Sequence, residues 1–267
     1  MSIIKIKNIS KVFKSKVNKG FVKNLLKPEY KYYKAVNDIT LDIESGECVA
    51  FLGPNGAGKT TTTKMLTGLI HPSSGEIEVM GFVPQNRDYD FLRQIGLVMG
   101  NKAGLNWDLT AEQSFELISE IYGIDKQKAD ETLSGLFSIL FQDNDKLSKI
   151  LKTQIRKLSL GERMKMELIA SVMHNPRVLF LDEPTIGLDI TAKKNIRNFI
   201  IKLNKETKTT IILTSHDMDD IEKVCDRVVI INNGSIVYNG KVESLKSTSN
   251  ERLEDIIERI FIESSKS

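Results

Sequence analysis

Apolar and polar residues alternate over residues 3–9, which predicts a short opening strand. A cleaner alternation, Ile39-Thr40-Leu41-Asp42-Ile43, ends at the turn Glu44-Ser45-Gly46 and predicts a second strand. Cys48-Val49-Ala50-Phe51-Leu52 is apolar throughout, and Lys64 to Leu69 continues beyond it with helical spacing. Pro72-Ser73-Ser74-Gly75 turns into the alternating run Glu76-Ile77-Glu78-Val79. Val178-Leu179-Phe180-Leu181 and Thr210-Ile211-Ile212-Leu213 are continuous apolar runs, the pattern of parallel strands buried on both faces. Thr110-Ala111-Glu112-Gln113 reads as a capping box that opens a helix to about Ile121. Further helical spacing occupies roughly 126–141 and 161–173. Val228 to Ile231, Asn232-Asn233-Gly234 and Ser235-Ile236-Val237 form a hairpin signal. In the tail, Leu253, Ile256, Ile257, Ile260 and Phe261 predict a helix with one buried face. The layout is a mixed α/β core with a helical insertion near residues 103–170.

A chain of 267 residues permits one large domain or two small ones. Apolar residues at 40% and charged residues at 27% exclude a disordered or fibrous chain. A net charge of +3 is too small at this size to argue nucleic-acid binding. The two cysteines, Cys48 and Cys225, sit among apolar neighbours and read as small core residues in a reducing compartment. No apolar run approaches a membrane span and the start does not resemble a secretion signal, so a transport role requires a membrane partner made by another chain.

The segment from about 14 to 34 stands apart. It carries seven lysines against one acid, Glu29, with Phe21, Tyr30, Tyr32 and Tyr33 among them. A solvated insertion loop is the expected form; the alternative is a basic-aromatic element touching anionic lipid headgroups or a partner subunit.

Chemistry concentrates in Gly53-Pro54-Asn55-Gly56-Ala57-Gly58-Lys59-Thr60-Thr61, directly after an apolar strand and before a helix. This is the spacing of a phosphate-binding loop. Its glycines let backbone N–H groups and a helix N-terminus face anionic oxygens. Lys59 then reaches the β- and γ-phosphates, and the Thr60 hydroxyl can hold a magnesium ion. The chain is thus expected to bind a nucleoside triphosphate.

Three further motifs narrow the class. The strand at 178–181 runs into Asp182-Glu183, one acid to hold magnesium and one to orient or deprotonate water. Leu158-Ser159-Leu160-Gly161-Glu162 opens a helix, readable either as an anion site or as a plain capping box of Ser159 with Glu162. His216 follows the strand at 210–213 at its carboxyl end, where ligands are met.

In this order, these motifs resemble the ATP-binding cassette family, the nucleotide-hydrolysing subunits of ABC transporters, over about residues 3–240. The chain looks most like cassettes of multidrug-type or polysaccharide-type exporters with separately encoded membrane subunits. The resemblance implies an α/β fold: a P-loop NTPase, RecA-like core with an antiparallel β subdomain and an inserted helical subdomain at about 103–170. The cassette would occupy 1–240 and a C-terminal helical tail 241–267. It implies ATP and Mg2+ as ligands, with Lys59 and the loop on phosphates, Thr61 near the α-phosphate, Thr60 and Asp182 on the metal, Glu183 as catalytic base and His216 at the γ-phosphate. Phe13 falls where an aromatic ring stacks on adenine. Ser159 and Gly161 would bind the γ-phosphate held by a second cassette, because the family closes two copies head-to-tail around two ATPs. Asp189, in Gly187-Leu188-Asp189, matches the loop that communicates between subunits.

Three positions depart from the family pattern. Asn101, in Val98-Met99-Gly100-Asn101-Lys102, stands where a glutamine usually senses magnesium and the membrane subunit. Leu160 and Glu162 replace the commoner glycine and glutamine, so Leu160 is expected to crowd a phosphate and Glu162 to bring charge near it. The implied partners are a second cassette, identical or different, and integral membrane permease subunits, with no nucleic acid. The implied location is the cytoplasmic face of the membrane. A soluble cassette ATPase of DNA repair or translation, and a regulatory cassette that binds ATP without turnover, are the alternatives.

Overall fold

Two sheets stack face to face, and one set of strands feeds both of the hydrophobic cores. The computed structural model describes residues 1–16, 30–100, 102–141, 144–246 and 253–264. β1 (Ser2–Lys16) pairs antiparallel with β2 (Tyr30–Glu44) from Ser2↔Glu44 to Lys16↔Tyr30. β4 (Ser74–Val79) joins its other edge, giving a three-stranded sheet ordered β2-β1-β4. The second sheet has the order β5-β6-β7-β3-β8-β9, from β3 (Cys48–Leu52), β5 (Ile95–Met99), β6 (Val178–Asp182), β7 (Thr210–Thr214), β8 (Arg227–Asn232) and β9 (Ser235–Lys241). All pairings in it are parallel except β8 with β9.

The unbroken apolar runs follow from this stacking. In β3, Val49 and Phe51 face the core shared with the antiparallel sheet, while Ala50 and Leu52 face the helices on the other side. In β6, Val178 and Phe180 take the first side and Leu179 and Leu181 the second. A parallel strand covered on both faces has no polar side to show.

Helix α1 (Lys59–Leu66) follows β3, and the one-turn helix α2 (Tyr89–Leu92) precedes β5. Between β5 and β6 the chain makes α3 (Ala111–Tyr122), α4 (Lys126–Leu140), α5 (Asn144–Leu151) and α6 (Leu160–Val172). The Thr110 capping box opens α3 as the sequence predicts: its hydroxyl accepts from the Gln113 N–H, and the Gln113 side chain accepts from the Thr110 N–H. Asp125 caps α4 and Ser159 caps α6. α7 (Ile190–Thr207) leads into β7, α8 (Met218–Val224) into β8, and α9 (Val242–Lys246) and α10 (Leu253–Ser264) end the described chain. Leu253, Ile256 and Ile257 of α10 are buried in the helix-side core, which is the predicted apolar face.

One expectation is overturned. Residues 14–16 and 30–34 are not loop: they extend β1 and β2 into a two-stranded ribbon with register Lys14↔Tyr32 and Lys16↔Tyr30. Cross-strand pairs of tyrosine with lysine alkyl stems suit a pleated surface, and Lys14 Nζ lies 3.7 Å from the Tyr30 ring centre. The rest of that segment, residues 17–29 with Phe21, lies outside the described residues, as do 247–252 and 265–267 of the tail.

Candidate nucleotide site

The carboxyl ends of three adjacent strands, β6, β7 and β3, bring the candidate residues together. The loop Gly53–Gly58 leaves the end of β3 and hands the chain to α1. Gly58 caps that helix at φ 110°, and a Cβ there would stand 2.5 Å from the Ala35 carbonyl oxygen. Only glycine meets both conditions. The Lys59 ammonium curls back under the loop, donating to the carbonyls of Gly53 (2.6 Å) and Pro54 (3.2 Å). Burial lowers its pKa, while Glu183 and Asp182 pull it back up.

Asp182 ends β6. One of its oxygens, Oδ1, accepts from the Thr60 hydroxyl at 2.9 Å and from the Thr214 hydroxyl at 2.6 Å. Glu183, the next residue, adopts φ 53°, a left-handed conformation uncommon for a residue with a Cβ. Its N–H is shared between the Thr214 carbonyl and hydroxyl, both 3.0 Å away, which holds the turn. Gly100 packs against that turn: its N–H donates to the Asp182 carbonyl at 2.7 Å, and a Cβ would lie 2.2 Å from the Glu183 carbonyl oxygen. His216 Nδ1 stands 3.5 Å from Glu183 Oε1, with the imidazole 57% exposed.

A cleft of about 170 Å³ lies over the loop, lined by Asn55 through Thr61, Glu183, Phe13, Tyr33 and Ala35. Phe13, on β1, is therefore at the mouth of the phosphate loop. Thr60 and Asp182 offer hard oxygen donors side by side. Among the described residues there is no group of three or more His, Cys, Asp or Glu that could hold a metal. A site of one hydroxyl and one carboxylate fits magnesium, which keeps several waters and uses substrate phosphates for the rest.

Ser159, Gly161 and Asp189 do not line this cleft. Ser159 is the N-cap of α6 in a full capping box with Glu162: its hydroxyl accepts from the Glu162 N–H at 3.3 Å, and its own N–H donates to Glu162 Oε2 at 3.1 Å. The Glu162 charge is thus turned onto its own helix start. Burial pushes its carboxyl up, but the Ser159 contacts, Lys146 and Lys165 bring it below the ordinary value. Gly161 sits in the first turn, where an added Cβ would be 3.2 Å from the Ala192 methyl, and a Cβ at Gly187 would be 3.2 Å from Leu160 Cδ2. Asp189 caps α7, its Oδ1 accepting from the Ala192 N–H at 2.9 Å. Asn101 lies outside the described residues.

Several contributors carry no motif in the sequence. Through its hydroxyl, Thr214 holds the Asp182 carboxylate and the Glu183 backbone N–H, as described. Asp220, 1% exposed, accepts from Arg197 Nε (2.5 Å), the Ser215 hydroxyl (2.9 Å) and the Thr185 hydroxyl. That cluster ties the residues after Glu183 and before His216 to α7 and α8. Cys48 and Cys225, 177 positions apart, bring their sulfurs within 3.2 Å in the core, where burial raises the Cys225 thiol well above its usual pKa.

Comparison with known proteins converges on one family. The family model described as ABC transporter matches residues 36–186. The chain is 36% identical over 226 residues to the ABC transporter ATP-binding protein NatA of Bacillus subtilis (strain 168), covering 85% of this chain and 89% of that protein. It is 34% identical over 225 residues to the bacitracin transport ATP-binding protein BcrA of Bacillus licheniformis, covering 84% and 71%. Among solved structures, a dimeric ATP-binding cassette in a post-hydrolysis state bound to ADP and Pi superposes with a TM-score of 0.74 at 22% identity, over 90% of this chain and 98% of that one.

Proposed function

The chain belongs to the ABC transporter family as an ATP-binding subunit, and from that premise we propose that it hydrolyses ATP to drive export through separately encoded membrane subunits. The observation that carries the reading is one unbroken line of contacts at the strand ends. It runs from Lys59 in its loop, through Thr60 to Asp182, on to Glu183 and out to His216. An ammonium, a hydroxyl–carboxylate pair, a second acid and an imidazole are the parts phosphoryl transfer needs, since catalysis there is positioning and charge neutralisation.

In this reading the Gly53–Thr61 loop cradles the triphosphate through Asn55, Gly56, Ala57 and Gly58. Lys59 takes the β- and γ-phosphates, Thr61 stands near the α-phosphate, and Phe13 stacks on the base. Thr60 and Asp182 would hold Mg2+, which supplies charge neutralisation at the β- and γ-oxygens. Glu183 orients the attacking water and accepts its proton, with His216 at the γ-phosphate. Ser159, Gly161 and Asp189 serve the nucleotide of a second cassette, identical or different, as the family resemblance implies. ATP closes the pair and hydrolysis releases it, a shift between two populations set by differential contacts.

The cassette occupies 1–240, with its helical subdomain at about 103–170, and 241–267 forms the tail. No helix among the described residues is long and apolar enough to cross a membrane. In this reading the chain works at the cytoplasmic face of the membrane, held there by its membrane subunits. The likeness to a bacitracin transport ATP-binding protein supports a transport role, and export is the direction assigned from the resemblance of the motifs to exporter cassettes.

Replacing the general base tests the assignment, because such a group typically contributes on the order of 10²–10⁴ in rate. Glu183→Gln is expected to bind ATP at parental affinity, to lose hydrolysis by that factor and to persist as an ATP-bound dimer in gel filtration. Hydrolysis at the parental rate would refute the role given to Glu183.

A further inference from the structure

Tyr33 belongs to the basic-aromatic segment, yet it does not share the surface of its neighbours. β1 and β2 pair Phe13 with Tyr33 directly, while Val12↔Lys34 and Lys14↔Tyr32 flank that pair. Side chains alternate between the faces of a strand, so Phe13 and Tyr33 stand together on one face. Tyr30 and Tyr32 stand on the other, both within reach of the Lys14 ammonium. The first face is the one over the phosphate loop. Tyr33 lines the same cleft as Asn55–Thr61 and Glu183, and its hydroxyl donates to the Gly56 carbonyl at 3.0 Å.

Gly56 sits at φ 83° in the part of the loop that faces the phosphates. Among the described residues its carbonyl has one side-chain partner, which comes from the ribbon 23 positions earlier in the chain. Holding the carbonyl from outside fixes the Gly56–Ala57 peptide plane, whose own N–H closes a turn onto the Pro54 carbonyl at 3.1 Å, and so sets the shape of the loop whose remaining N–H groups would meet phosphate oxygens. Tyr33 stays 54% exposed beside a Phe13 that is 40% exposed and carries the Lys11 ammonium 5.3 Å from its ring centre, so aromatic surface of both residues remains open at one mouth. Aromatic faces of this kind take a nucleobase by stacking.

We propose that Tyr33 is a positioning residue of the nucleotide site: its hydroxyl sets the phosphate loop through the Gly56 carbonyl, and its ring forms with Phe13 the wall against which the purine lies. The inference rests on the nucleotide-binding reading of this loop. The ribbon thereby joins base recognition to phosphate recognition, since one side chain touches both.

The test is titration of the full chain, with magnesium, by calorimetry using ATP and inorganic tripolyphosphate, which lacks the base. Tyr33→Phe keeps the ring and removes the tether. It is expected to weaken both ligands equally, about three- to fivefold, the equivalent of one neutral hydrogen bond. Tyr33→Ala is expected to weaken ATP about tenfold more than tripolyphosphate, because it also removes the ring. Unfolding midpoints of both variants should match the parent, separating positioning from loss of fold. Tyr33→Phe binding both ligands within about twofold of the parent overturns the proposal. Lys59→Ala serves as reference: if it binds ATP like the parent, the nucleotide-site reading itself fails, whereas ATP loss in Lys59→Ala with silent Tyr33 variants refutes only the role of Tyr33.

Discussion

Asp220→Ala is expected to damage hydrolysis from a position that touches none of the proposed reacting groups. The carboxylate is 1% exposed and accepts from Arg197, Ser215 and Thr185. Removing it leaves the Arg197 guanidinium, 10% exposed, with only Asp219 at 3.1 Å and Asp217 at 3.3 Å, both nearer solvent. Breaking a buried pair by deleting one partner costs about 3–5 kcal/mol. The two surviving carboxylates soften that, while the two orphaned hydroxyls add to it, so the net is about 4 kcal/mol. For a domain of this size, that lowers the melting temperature by about 8–16 °C. Ser215 adjoins His216 and Thr185 lies two residues past Glu183, so the turnover rate is expected to fall further than ATP affinity, which depends on β3 and α1. Thermal unfolding by circular dichroism, ATP titration and steady-state ATPase assays measure the three quantities. Replacing the pair together, Arg197→Met with Asp220→Leu, should recover most of the melting temperature, since apolar substitutes remove both charges from the interior. An Asp220→Ala protein that melts within about 2 °C of the parent would refute the energetic argument.

Glu167, buried on α6, accepts from the N–H groups of Gly104 and Leu105. Burial raises its pKa, with those N–H groups and Arg163 opposing; the folded chain therefore holds this proton longer, and stability is lost as pH rises from the unfolded value of ~4.3 through the folded one. Glu167→Gln removes the titration, so its melting temperature relative to the parent should climb as pH rises above ~4.3 and level off once the folded carboxyl has ionised, and a difference that is flat or falling throughout would count against it. Ser159→Asp should keep the helix cap, whose loss in Ser159→Ala costs about 1 kcal/mol, yet in a Glu183→Gln background it should abolish the ATP-induced dimer by setting a carboxylate against the partner's phosphate. Gel filtration with ATP decides it, and an undiminished dimer would remove Ser159 from the shared site.

What the sequence revealed was local. The Gly53–Thr61 loop, the Asp182-Glu183 ending and the Thr110 cap each depend on residues a few positions apart, and each takes the form its spacing predicts. α7 went unread although Ile196, Phe199, Ile200 and Leu203 are buried at helical spacing, because Asp189 reads in the sequence only as part of a family loop, whereas it is the N-cap of that helix. β5 escaped because Gly96 interrupts its apolar run; the glycine is needed where a Cβ would stand 2.4 Å from the Ser171 carbonyl oxygen. The ribbon at residues 14–16 and 30–34 escaped because its exposed lysines signal a solvated loop, whereas cross-strand pairing holds them in register, with the Lys14 ammonium over the Tyr30 ring. Contacts such as Arg197 with Asp220, Tyr33 with Gly56 and Cys48 with Cys225 join distant segments, and no periodicity announces them.

The parallel sheet explains why the chemistry gathers where it does. β3, β6 and β7 are buried at every position, so their backbones are fixed from both faces. Each ends by releasing a short polar segment at the same edge: the phosphate loop, Asp182-Glu183 and Thr214-Ser215-His216. Side chains one or two residues beyond a fixed strand end have little freedom to drift, and Thr214 removes more by holding Asp182 and the Glu183 N–H at once. The left-handed backbone at Glu183 persists because that grip over-determines it. Ser159 and Asp189, by contrast, are tied to their own helices and not to this edge. They hold their shape without completing the cleft.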